Sequence, residues 1–196
     1  MLIYDLEIAN AIPDRNGSRA EGVSYCEGWT DYAGMGLAVV CCYDYTTARP
    51  RVFCSDNLAG FVELVASHDC VVGFNNRRFD DRVLAAQGII IPTEKSYDLL
   101  QEIWRGLGLG PEFHPYTHGG YNLDAISRAN FGASKQLGGA DAPARWQRGH
   151  VGTVIDYCLA DVNLTRRLLD RVIRYGTIID PNGPTRLITV RRPGSY

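Results

Sequence analysis

Two carboxylates sit inside the first apolar run of the chain, Leu2-Ile3-Tyr4-Asp5-Leu6-Glu7-Ile8, and they restrict the fold more than any other feature. A short run of Leu, Ile and Tyr reads as a buried strand. Residues two apart on a strand leave the same face, so Asp5 and Glu7 emerge side by side. Neighbouring carboxylates repel, and a buried charge needs a partner. A divalent cation relieves that repulsion. An edge strand with one wet face is the other arrangement that tolerates it. The same acids are at odds with a secretory leader, which needs a basic start and an acid-free apolar centre.

The rest of the chain reads as α/β. Residues 9–31 lack periodicity and carry Pro13, Gly17, Gly22 and Gly28, which marks a long loop of a length that is often functional. A strand over 35–45 and a partner over 51–54 form a hairpin across the turn-like TTARP. Asp56 or Asn57 starts a helix with Leu58, Phe61, Val62, Leu64 and Val65 at helical spacing. A short strand follows over 70–74, then a helix over 79–86 closed by Gly88. Residues 96–104 are read as a helix, 105–121 as loop, and Asn122 as the cap of a further helix. Loop is expected over 130–149 and one long helix over 151–175. Pro181, Gly183 and Pro184 break the chain before a last short strand at 187–190. The expected architecture is one mixed sheet, an antiparallel hairpin beside parallel strands, flanked by helices.

At 196 residues, 45% hydrophobic and 21% charged, the chain is long enough for one domain with an ordinary core. No apolar stretch reaches the ~20 residues of a membrane span. The six cysteines form no CxxC pair and mostly lie in or beside apolar runs, as buried reduced thiols do. An intracellular, cytoplasmic setting without a targeting signal is expected. The net charge of -2 removes the strongest compositional hint of nucleic-acid binding without excluding it. Of the 20 bases only Lys95 and Lys135 are lysines. That arginine bias suits phosphate recognition, and a GC-rich gene accounts for it equally well.

Two further acids interrupt apolar elements. Asp80 stands at a strand-to-helix transition in GFNNRRFD, beyond the carboxyl end of a strand, where ligand-facing groups collect. A plain helix cap is the alternative there, and Asp81 is an equal candidate for it. Asp161 follows Tyr157 by four residues, so both occupy one helix face. The neighbours Cys158, Val162, Leu168 and Leu169 turn that face toward the core, and a surface Tyr–Asp pair is the alternative.

Taken together, the D-x-E of Asp5-Leu6-Glu7, the N-x-x-x-F-D of Asn75–Asp80 and the Y-x-x-x-D of Tyr157–Asp161 resemble the three motifs of the DEDDy branch of 3′–5′ exonucleases. That branch is part of the DnaQ-like group in the ribonuclease H-like superfamily. The motifs occur in order over residues 5–161. Tyr97-Asp98-Leu99 and Asn122-Leu123-Asp124 resemble segments between the second and third motifs. The resemblance leaves the 9–31 loop and the last 20 or so residues uncovered. It implies an exonuclease domain over 1–180 with 9–31 as a loop insertion, and an extension over 181–196 with a short strand. The histidine branch would need a His where Tyr157 or Asp156 stands, which assigns the tyrosine branch.

The resemblance also implies two divalent cations, Mg²⁺ or Mn²⁺, held by Asp5, Glu7, Asp80 and Asp161, with Asp5 shared between them. Tyr157 would orient the attacking water, since a phenol with a reference pKa of about 10 is a poor base at neutral pH. The implied activity is metal-dependent hydrolysis of phosphodiester bonds at the 3′ end of nucleic acid, DNA favoured over RNA. Substrate contacts are expected from Asn75 and Leu6 near the terminal nucleotide, and from Arg77, Arg78 and Lys135 on phosphate. Trp29, Tyr32 and Tyr121 are candidates for stacking on bases, with packing as the commoner role for such aromatics. The expected partner is a single-stranded 3′ end, with a separate polymerase or helicase where the pathway needs one, and no membrane. An inactive binding or docking module and an endonuclease of the same superfamily are the rival functions.

Overall fold

The computed structural model describes residues 1–14, 16–132 and 141–194. Its elements follow the expected order. They are β1 (Leu2–Ile8), α1 (Tyr32–Met35), β2 (Leu37–Asp44), β3 (Arg49–Phe53), α2 (Ala59–Ser67), β4 (Val71–Gly73), α3 (Asp80–Ala86), β5 (Ser96–Asp98), α4 (Leu99–Gly106), α5 (Leu123–Phe131), α6 (Ala142–Gln147), α7 (Val151–Tyr175), β6 (Thr177–Asp180) and β7 (Gly183–Thr189). A single 3-10 turn, Asn76–Arg78, joins β4 to α3.

The five-stranded sheet has the order β3-β2-β1-β4-β5. Strand β1 is therefore central, and the edge-strand arrangement for Asp5 and Glu7 does not occur. It runs antiparallel to β2, with Asp5 opposite Cys41 and Glu7 opposite Val39, and parallel to β4. Strand β5 extends the parallel half. This mixed sheet with helices packed on it has ribonuclease H-like α/β topology, the fold class read from the sequence.

Alternation on β1 builds two apolar layers. Leu2, Tyr4, Leu6 and Ile8 pack with Phe61 and Val65 of α2 and Val83 and Leu84 of α3. Ile3, with Val39, Cys41, Val72 and Tyr97, packs under α4, α5 and the long helix α7. Helix α7 buries a stripe from Val154 through Leu168 to Val172 at helical spacing. It ends where Gly176, at φ +70°, donates its N–H to the Val172 carbonyl.

Several details depart from the sequence reading. Residues Ser96–Asp98 are strand, and the helix starts only at Leu99. Asp98 causes this, because its carboxylate accepts from the N–H groups of Leu100 and Gln101 as an N-cap. Helix α6 lies within a stretch read as loop, and Pro143 in its first turn is compatible with a helix start. Helix α1 precedes β2, capped by Asp31, whose side chain accepts from Gly34 N–H at 2.9 Å. Strands β6 and β7 pair as a hairpin that straddles residue 180, and Gly106 lets α4 approach it closely: a Cβ there would lie 2.0 Å from the Thr189 carbonyl oxygen.

Asp98 also accepts from Asn75 N–H at 2.9 Å and Arg77 N–H at 3.2 Å, so one carboxylate 1% exposed organises both the α4 start and the turn after β4. Burial pushes its pKa up to about 6 despite those four donors. Asp98→Ala strands buried N–H groups, and the expected loss is about 2–4 kcal/mol of unfolding free energy in urea titrations. Asp98→Asn keeps an acceptor, and its expected loss is smaller.

Candidate active site

The two acids of β1 lie past the carboxyl end of β4, which on β1 reaches only Leu2 and Ile3. A register shift between Glu7 and Ile8 marks a bulge at the same point, a common device beside functional sites. Helix α7 crosses over β1 and β2 here. Its Cys158 thiol donates to the Asp5 carbonyl at 3.4 Å and to the Asp5 carboxylate at 3.6 Å. Burial, the adjacent Cys41 thiol and the Asp5 charge push the Cys158 thiol well up, which keeps it a neutral donor.

That contact places Asp161 over the strand. Ligand oxygens of Asp5, Glu7 and Asp161 all lie within 4.8 Å of one another. Glu7 and Asp161 are buried and Asp5 is half-buried. Among the described residues this is the one group of three or more His, Cys, Asp or Glu side chains with such spacing. Three carboxylates in a partly dry site form an all-oxygen donor set, which suits a hard divalent cation.

Asp80 is outside this tight group. It is the first residue of α3, buried, and lines the same cleft as Asp5, Glu7, Asp161 and Tyr157. Burial, then the charges of Asp5 and Asp81, hold its carboxyl well above the usual carboxylate range. The N-cap position of α3 is Phe79, with no side-chain cap bond, and Asp80 and Asp81 differ in their partners. Asp81 accepts from the Tyr4 hydroxyl, from Ser96 Oγ at 2.9 Å and from Asn76 Nδ2 at 3.1 Å. It ties α3 to β1 and β5, and Asp80 is left facing the cleft.

The cleft consists of two adjoining cavities of about 800 and 560 Å³. Asp5, Trp29, Phe74, Asn75, Phe79 and Asp161 line both. Asn75 sits at φ +65°, a left-handed conformation that Asn adopts more readily than most residues. Strain of this kind gathers at functional sites. Arg78 lines the larger cavity, its guanidinium 5.5 Å from the Phe113 ring centroid and 5.8 Å from that of Trp104.

The other expected contacts have different surroundings. The Arg77 guanidinium donates to the Ser96 carbonyl and, at 3.5 Å, to Gln101 Oε1. Leu6 is packed in the α2–α3 layer, 4% exposed, and also borders the smaller cavity. Lys135 lies outside the described residues. Tyr32 and Tyr121 line the larger cavity together with Phe113, which sequence reasoning missed because nothing in a Gly-Pro-His loop distinguishes a wall from a surface. His118 belongs to the wall of the larger cavity. Its Nε2 meets the Gly110 carbonyl at 3.0 Å and its ring packs edge-on to Trp104.

The solved structure of the family B DNA polymerase from the hyperthermophilic archaeon Pyrobaculum calidifontis is similar to this chain. It matches with a TM-score of 0.57 at 18% identity, over 88% of this chain and 24% of the polymerase chain. The chain thus spans about a quarter of that polymerase, and the likeness is one of fold. No protein-family model matches the chain, and no curated protein matches it. No helix among the described residues is long and apolar enough to cross a membrane.

The close spacing of the three carboxyl groups is testable through stability. Mn²⁺ at millimolar concentration is expected to raise the melting temperature by several degrees in thermal-shift scans. Asp5→Asn is expected to raise the metal-free melting temperature and to cancel most of the Mn²⁺ effect.

Proposed function

We propose that this chain is a metal-dependent 3′–5′ exonuclease acting on DNA. The carrying observation is the group of Asp5, Glu7 and Asp161 on the central strand and long helix of a ribonuclease H-like sheet, with Tyr157 one turn before Asp161. The likeness to part of a DNA polymerase supports DNA as the substrate class. The six cysteines are all free thiols, which fits an enzyme of the cell interior.

In this reading Asp5, Glu7 and Asp161 hold the cations, and Asp80 completes the set from the start of α3. Mg²⁺ or Mn²⁺ bound there supplies Lewis-acid activation of the scissile phosphate and makes water a competent nucleophile near neutral pH. The chain's own residues supply the rest. Tyr157 orients the attacking water through its hydroxyl. Asn75, fixed by Asp98 beneath it, holds the terminal nucleotide against the site. Arg78, a cation already seated on aromatic faces, meets a phosphate of the same strand. Leu6 borders the terminal base, and Arg77 and Lys135 complete the substrate set. A single-stranded 3′ end fits a cleft open to solvent on one side, and a polymerase or helicase is the partner that would generate such ends.

The test is a gel assay on 5′-labelled single- and double-stranded DNA and RNA with Mg²⁺ or Mn²⁺. Stepwise shortening from the 3′ end of DNA is expected. Asp5→Ala and Asp161→Ala are expected to abolish it. Tyr157→Phe is expected to slow turnover by about tenfold or more with little change in KM. Cleavage of a circular strand would point instead to an endonuclease. Binding without cleavage under every condition would point to a docking module.

A further inference from the structure

Trp29 is the most exposed aromatic of the cleft, with 66% of its surface accessible, yet it is not loosely held. Its ring rests on Phe79, 6.5 Å between centroids and tilted by 60°. The loop that carries it is pinned on both sides. Upstream, one side chain makes three bonds to the backbone. Gln147 of α6 donates from Nε2 to the Ala9 carbonyl at 2.8 Å and to the Ser24 carbonyl at 3.0 Å, and its Oε1 accepts from Ser24 N–H at 2.7 Å. Ala11 pairs with the same segment, donating to Ser24 O and accepting from Cys26 N, each at 3.0 Å. Downstream, Asp31 accepts from Glu27 N–H at 2.8 Å and Gly34 N–H at 2.9 Å, closing the turn around Trp29.

An indole left in water forgoes the burial that would ordinarily stabilise it. Anchoring it in the wall of both cavities, which Asp5 and Asp161 also line, costs further chain entropy. The arrangement makes physical sense when a flat apolar ligand completes the stack, because a pre-ordered aromatic then binds without a new ordering cost. We infer that Trp29 is a stacking platform for a nucleobase of the strand that enters the cleft, and that Gln147 is the positioning residue that keeps the platform in place. This rests on the exonuclease reading for its substrate. It adds that the loop insertion reads the presence of a base near the 3′ end, in a sequence-tolerant way, since every base offers a π-face.

Binding is measured separately from cleavage. The probe is a fluorescent eight-nucleotide thymidylate with a 3′-OH, in Ca²⁺ buffer, with its integrity checked by gel afterwards. A second set carries an abasic unit at each of the last three positions in turn. Trp29→Ala is expected to weaken binding of the intact strand about tenfold, and Trp29→Phe only about threefold. One abasic position is expected to weaken wild-type binding by the same factor and to leave Trp29→Ala no weaker still. Gln147→Ala is expected to follow Trp29→Ala in part, and to bind that abasic strand as wild type does, which a merely structural loosening would not produce.

Equal binding of the intact strand by Trp29→Ala and wild type would overturn the inference. So would a Trp29→Ala loss of the same size on every abasic strand. Hydrolysis by a wild-type protein whose Trp29→Ala variant binds normally would sink this inference alone. Base-dependent binding through Trp29 in a protein that hydrolyses nothing would keep it and sink the exonuclease reading.

Discussion

Three carboxyl groups brought to short range are the constraint around which this molecule is arranged. Three carboxylates lie within 4.8 Å of one another. Where two such groups are both ionised ~4 Å apart, they repel by about 4 kcal/mol at an effective dielectric of ~20. Apolar packing fixes the backbones that carry the group. Strand β1 is buried on both faces, α7 lies across it over a continuous apolar stripe, and the Cys158 thiol bonds directly to Asp5. The same spacing offers a hard divalent cation an all-oxygen donor set.

Around that group runs a second set of buried polar contacts that fixes the cleft's geometry. Asp98 holds the turn carrying Asn75, and Asp81 holds the start of α3 carrying Asp80. Each is a carboxylate whose donors come from other elements, so neither can relax without moving a wall of the cleft. The short β4 matters as much. By ending at Gly73 it leaves Asp5 and Glu7 without a strand beside them on that side, and the cleft opens there. Burial of Asp80 and the neighbouring Asp5 and Asp81 charges favour the neutral form of its carboxyl.

Much of this was legible in the order of residues. Acids two apart in an apolar run placed a polar group on a core strand, and helical spacing brought Tyr157 and Asp161 to one face. The length of α7 follows directly from its periodicity. What was hidden depends on contacts between distant elements. Whether β1 was central or at an edge is a property of pairing, which alternation within one strand does not encode. Asp80 and Asp81 read alike in the sequence, and it is the Tyr4 hydroxyl and Ser96, both bonded to Asp81, that distinguish them. Arg77 and Arg78 are neighbours of identical chemistry, yet one donates to the Ser96 carbonyl and the other lies over aromatic rings. Trp29 was visible only as an aromatic in an aperiodic loop, because the Gln147 side chain that fixes its loop lies more than a hundred residues away.

The central claim is that Asp5, Glu7 and Asp161 form a divalent-cation site at the end of the central strand. The most direct measurement is a crystal soaked in Mn²⁺ and recorded at the manganese absorption edge. An anomalous peak is expected between these three carboxylates, with oxygen ligands from each and a second peak toward Asp80. A fully soaked crystal with no peak in the cleft, or with manganese bound elsewhere on the chain alone, would contradict it.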